Sequence, residues 1–410
     1  MVGGVIVSAT DGEHRVKTGR VALAGLVSVL SFLAVSCDPG ASMVLERENL
    51  FSLEIGRLED QMDLLTRKGV VSQGRNRIIM RDGIIYISNE AAAKVMVFNS
   101  FGDLIALYYH PDENPIPVSL QLRDDQGGLT TRIAVPYRFR RIGEIAVDSR
   151  KHLAIVDMLP PERSVYDPEI GVRLDWTILR FDDNGGLLDY LGQEGVGGTP
   201  FPYIEQMRTN IQDELMVVCD TVRSKIVYLY SPGSELLYQS EILYSRLPVP
   251  SSDTGYIAVL DHVTAGYEHR RAYIKVSYYL PSVDEQTGKE FGIGFVQSRV
   301  YWLDLDTGRY ESYVELPDDF LYEMVGIARG GHIFLAARHD DGTTELVIMN
   351  TDGRVVRRRL LDITEYDLFQ RSFSLEPNGI LTAMLAYSPH VDISWWRTDR
   401  LLPRGAVRDR

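Results

Sequence analysis

The sequence is poor in cysteine. Only Cys37 and Cys219 occur in 410 residues, so no framework of disulfides can staple the fold. It also lacks a positive excess, because 43 Lys and Arg face 57 Asp and Glu, for a formal charge of −14. That balance argues against polyanion binding as the main task, and no DNA- or RNA-binding module is present. The histidines show no HExxH or other zinc spacing, and no G-x-S-x-G elbow occurs. Gly192-Gln-Glu-Gly195-Val-Gly-Gly198 lacks the Gly-Lys-Ser/Thr ending of a phosphate-binding P-loop and reads as a connecting loop. After residue 35 no run approaches eighteen consecutive apolar residues, so nothing there reads as a membrane-crossing helix. What is present is an ordinary globular composition, 45% hydrophobic and 24% charged, at a length that suits a repeat-built domain.

The longest uncharged apolar run is VALAGLVSVLSFLAV, residues 21–35, preceded by Arg15, Lys17 and Arg20. It is short for a transmembrane helix and suits the apolar region of a signal peptide. It ends at Ala34-Val35-Ser36-Cys37, followed by Asp38-Pro39-Gly40. This segment resembles the lipobox of bacterial lipoproteins, with Ala34 where that pattern prefers Leu, a relaxation known among spirochaete lipoproteins. The resemblance implies cleavage after residue 36, acylation of Cys37 by palmitate-like chains, and anchoring on the periplasmic or surface side of a bacterial envelope. Plain secretion is the alternative, because Ala34-x-Ser36 also suits an ordinary cleavage site. The expected organisation is a signal peptide at 1–36, a tether at 37–49, one folded region at 50–399 and a basic tail at 400–410. Cys219, in Leu215-Met-Val-Val-Cys219, reads as a buried core thiol.

The mature chain is expected to be all-β. Five turns align on a glycine: Asn99–Gly102, Asp182–Gly185, Ser231–Gly233, Asp304–Gly308 and Asn350–Gly353. Each lies between two short runs rich in Val, Ile, Leu and Tyr. Asn, Asp and Gly accept the positive φ that tight hairpins need. Asp304-x-Asp306-x-Gly308-x-x-Glu311 lacks the length and ligand count of a calcium loop and is read as one of these hairpins. Upstream of the hairpins runs a second series, centred on Ser88, Val156, Cys219, Ser277, Ala337 and Ala386, at spacings of 68, 63, 58, 60 and 49 residues. Four strands per unit at these intervals predict a six-bladed β-propeller.

Ile85-Tyr-Ile-Ser-Asn89 followed by Lys94–Phe98 and Gly102, and Leu153-Ala-Ile-Val-Asp157 followed by Leu179-Arg-Phe181 and Gly185, resemble NHL repeats. The resemblance covers residues 83–232 and fades beyond them. Together with the relaxed lipobox and the segment Phe51–Gln61, it makes the chain similar to a group of spirochaete lipoproteins with NHL-like propellers. The sixth unit lacks a fourth strand after Val391–Trp396, and the run near 50–55 is expected to supply it and close the ring. A rival reading makes 51–65 a helix, from the spacing of Phe51, Ile55, Leu58, Met62 and Leu65. Gly56 sits poorly in its interior.

With strands labelled A to D from the channel outwards, A–B and C–D turns fall on one face and B–C and D–A connections on the other. The long insertions at 110–139, 158–176 and 281–298 then share one face, and loops of that length usually carry function. Their aromatics Tyr137, Tyr166, Trp176, Phe291 and Phe295 are the candidate contact residues, with hydrophobic capping of the blades as the competing role. The expected function is a lipid-anchored binding platform for another envelope protein or envelope component, monomeric, without cofactor and more readily a binder than an enzyme. The alternative is a Ca²⁺-dependent hydrolase or lyase with its site in the channel. Asn89, Asp157 and Asp220, at equivalent B-strand ends, would supply oxygen ligands. The same residues in NHL-like repeats commonly satisfy turn backbone instead.

Overall fold

A computed structural model describes residues 43–64, 75–122, 132–250, 255–283, 288–363 and 366–403. The signal segment 1–36, Cys37 and residues 404–410 lie outside the described residues, and the described fold belongs to the unit Val44–Arg410. Six antiparallel sheets, each built on a four-stranded meander, form the blades of a propeller. Blade 1 comprises Arg77–Arg81, Ile84–Asn89, Lys94–Phe98 and Leu104–Tyr109. Blade 2 comprises Ile142–Val147, Leu153–Met158, Trp176–Phe181 and Leu187–Gly192. Blade 3 runs Tyr203–Thr209, Leu215–Asp220, Ser224–Tyr230 and Leu236–Leu243. Blade 4 runs Ile257–Ala265, Arg271–Val283, Glu290–Asp304 and Arg309–Glu315. Blade 5 has Glu323–Ala328, His332–Arg338, Thr344–Met349 and Val355–Leu361. Blade 6 has Leu368–Leu375, Leu381–Tyr387 and His390–Trp396, with Glu48–Glu54 as its outer strand.

The ring is therefore closed by the N-terminal strand. Glu48–Glu54 pairs antiparallel with His390–Trp396, and Ser52 Oγ donates 2.7 Å to Asp392 Oδ1 across the seam. The helical reading of 51–65 does not hold: Glu48–Glu54 is strand and a turn follows at residues 56–61. Pairing removes an open sheet edge, which an isolated helix would leave uncovered. Upstream, Val44–Leu45 lies parallel to Leu360–Leu361 on the outer edge of blade 5, so the expected tether is partly engaged with the ring.

The core is distributed as six apolar clusters, one per blade interface. Each blade is covered on both sides, so its central strands read as unbroken apolar runs: every residue of Lys94–Phe98 and Ser224–Tyr230 is buried. Outer strands have one wet side and alternate, as in Leu236–Leu243. The cluster across the seam joins Leu53, Met384 and Ile393 to Ile85, Met96 and Phe98 of blade 1. Four of the five glycine turns place positive φ on the glycine, from +68° at Gly308 to +85° at Gly102. In blade 3 it falls on Ser234 (+72°), one residue beyond the expected Gly233. Cys219 is fully buried, and burial pushes its thiol pKa well up.

Candidate binding face

The meander puts the three insertions on one face, and each is built differently. The first adds Ile133–Pro136 parallel to Leu104–Tyr109 of blade 1, with Gln121–Leu122 beyond it. The second folds into a two-stranded ribbon, Val165–Asp167 with Val172–Leu174. The third, read from the sequence as a loop, is instead an extension of blade 4's own hairpin, whose register continues through Leu280↔Gly294 to Val283↔Glu290. Continued pairing satisfies backbone groups that a free loop would leave to water.

The five predicted aromatics separate by environment. Phe291 is 74% exposed and Tyr166 is 61% exposed. Phe295 is half-buried on the blade 4 hairpin and meets Tyr279 edge-on at 5.9 Å. Trp176, at 7% exposure, is an interior residue packed edge-on against Tyr203 at 5.7 Å. Tyr137 is half-buried and stands edge-on to Phe181 at 5.8 Å, with burial raising its phenol pKa. Trp176 and Tyr137 thus take the capping role. The sequence reading missed further exposed apolar side chains on the same face: Ile116 and Val118 in the first insertion, Val283 and Ile293 on the blade 4 hairpin, and Leu321 and Tyr366 in D–A connections. Alternation in Phe291-Gly-Ile293-Gly-Phe295 was the available signal. Among the described residues of the opposite face's turns, Phe101 and Ile211 are the exposed large apolar side chains.

Asn89, Asp157 and Asp220 each secure local structure. Asn89 Oδ1 accepts from Asp63 N (2.9 Å), while its Nδ2 donates to Asp63 O (2.8 Å) and Asn76 Oδ1 (3.1 Å). Asp157 Oδ1 accepts from the backbone N–H groups of Arg140 and Arg141, both at 2.9 Å. Burial raises the Asp157 pKa, and those N–H groups oppose the shift. Asp220 accepts from Tyr244 Oη and lies 3.8 Å from Lys225 Nζ. Among the described residues no three His, Cys, Asp or Glu side chains group so as to hold a metal ion. With their oxygens committed to these local partners, the three residues do not fit a shared calcium site. Asp304 Oδ1 accepts from Thr307 N and Oγ1, closing its hairpin turn.

The channel is lined by the A strands of all six blades and encloses a cavity of about 470 Å³. A bulge interrupts the A–B ladder in five blades, between Ile204 and Gln206, Leu260 and His262, Met324 and Gly326, Leu368 and Gln370, and opposite Ile155–Asp157 in blade 2. Most charges along the channel are neutralised in pairs. Arg77 Nε lies 2.5 Å from Glu144 Oε1, Lys225 pairs with Glu205, and Lys275 pairs with Asp261. Among the described residues no helix is long and apolar enough to cross a membrane.

The chain matches no protein-family model and no curated protein in sequence. Among solved structures it is similar to a streptogramin B lyase (10% identity, TM-score 0.36, covering 78% of this chain and 93% of the other). It is also similar to the WD40 repeats of RRP9 (10%, 0.40, 80% and 96%) and to the β-propeller domain of the trilobed protease from Pyrococcus furiosus (10%, 0.38, 78% and 81%).

Proposed function

We propose that this propeller is exported, anchored through acylated Cys37, and binds a protein or envelope component on its B–C/D–A face. NHL-like spirochaete lipoproteins remain the resemblance that supports the anchor. The observation that carries the binding role is the apolar asymmetry: Ile116, Val118, Tyr166, Phe291, Ile293 and Tyr366 are exposed on one face, against Phe101 and Ile211 in the turns of the other. Apolar side chains gathered on one rigid face supply what an interface core needs, desolvation of apolar area around aromatic anchors. The mechanism is then binding, with no bond broken.

A photo-crosslinking residue placed at Phe291 in intact cells is expected to trap a discrete partner, and one placed at Phe101 is not. With the photo-crosslinking residue at Ile116 instead, shortening 161–173 and 283–292 to tight turns, which leaves the buried Leu174 and Trp176 in place, should abolish capture while the propeller stays folded. Equal capture from Phe101 and Phe291, or capture that survives shortening, would sink the face assignment. The anchor has its own check. Cys37→Ser should abolish palmitate labelling and release the protein from membranes, and unchanged fractionation would disprove lipid anchoring.

A further inference from the structure

Among the described residues, one arginine lining the channel is left out of the pairing. Arg208, on the A strand of blade 3, lines the cavity and reaches across it to blades 5 and 6. A Cβ added at Gly326 would lie 3.1 and 3.2 Å from its two terminal nitrogens. Among the described residues its one hydrogen bond is Nη2 to the Leu375 carbonyl at 3.4 Å and it forms no ion pair with a carboxylate; burial lowers its pKa to about 10. The other arginines lining the cavity have acidic partners: Arg77 has Glu144, Arg81 has Asp82 at 3.6 Å, and Arg371 has Glu323 at 4.0 Å.

Beside Arg208 stand neutral polar groups with open valences. Among the described residues Gln206 Oε1 and His262 Nε2 have no hydrogen-bond partner, and Ser372 and Ser374 line the same cavity. The Arg208 charge is felt at His262, where it helps to lower the imidazole pKa. A desolvated guanidinium without an anion is costly, and its planar fork matches a carboxylate. The cavity volume is that of a small-molecule site, and hydroxyls match the amide, imidazole and serine groups around the fork.

From this geometry we infer that the channel binds a small hydroxylated carboxylate, such as a hydroxy acid or sugar acid, with its acid group on the Arg208 guanidinium. The site is separate from the loop face and does not depend on a partner binding there.

The test uses the full chain and calorimetric titration with glucuronate and lactate, with glucose and inorganic phosphate as comparisons. Saturable binding of at least one acid is expected, with affinity at least tenfold weaker in Arg208→Met and partly recovered in Arg208→Lys. Without ligand, Arg208→Met should raise the thermal midpoint, because an unpaired interior cation is replaced by an apolar side chain of similar length. A fall in that midpoint would mark the arginine as structural and overturn the inference. So would the absence of saturable binding by both acids, equal affinity in wild type and Arg208→Met, glucose binding as well as glucuronate, or binding of phosphate alone.

Discussion

His262 stands where burial and the charges of Arg208, Lys225 and Lys275 all disfavour its protonated form, against one opposing carboxylate, Asp261. Its pKa is held down to about 4 from an ordinary 6.5. The native state therefore binds fewer protons than the unfolded chain between those values. Its contribution to stability is present above pH 6.5 and is lost as pH falls to 4, on the order of 3 kcal/mol. Glu376 acts in the opposite sense. Burial, then Asp82, raises its pKa to about 7, so its contribution is full below its ordinary value and is lost as pH rises to 7. Chemical denaturation of His262→Gln at pH 4.5, 5.5 and 7 should show a weaker loss toward acid than wild type. Parallel losses in the two proteins would remove His262 as the source. At this scale the sequence was half legible. Asn89 and Asp157 were marked by their places at strand ends, but their partners lie 26 and 17 residues away on connections with no motif. Which aromatics faced water was not legible either, because Trp176 and Phe291 differ in environment and not in local pattern.

Strands and turns were the most legible level, for a local reason. Two-sided burial writes continuous apolar runs, and tight turns demand residues tolerant of positive φ. Gly102 adds a non-local constraint to this rule. At φ +85° its missing Cβ would lie 2.8 Å from Phe51 Cβ of the closing strand, whereas Gly83, at φ +76°, has nothing within 4 Å. Gly83→Ala should cost about 1 kcal/mol from backbone strain alone. Gly102→Ala should cost roughly 1–3 kcal/mol more, because it also displaces the closing strand. Equal losses in urea unfolding would show that Phe51 does not press on this turn. The 281–298 hairpin was the element misread, because a long polar and glycine-containing segment has the composition of a loop whether or not its halves pair.

At the scale of the whole molecule, stability depends on closing the ring between segments about as far apart as the chain allows. Phe51 meets Phe98 at 5.2 Å, and Trp395 Nε1 donates 2.8 Å to Glu48 Oε2. Removing the chain through residue 54 would uncover Val391 and Ile393 and open the edge of blade 6. The truncated protein is expected to self-associate on size exclusion and to unfold at a lower midpoint. A monomer of unchanged midpoint would show that the seam contributes nothing.

By itself, the sequence determined the all-β class, the six repeating units, the hairpin positions and the need for a borrowed strand, because each is encoded in residues close together along the chain. Only the tertiary structure decided which aromatics are sealed between blades, which oxygens are already occupied, and that, among the described residues, Arg208 is the channel-lining arginine without an acidic partner. Those outcomes depend on how six sheets converge on one axis, which brings side chains from different blades together with no regular sequence separation.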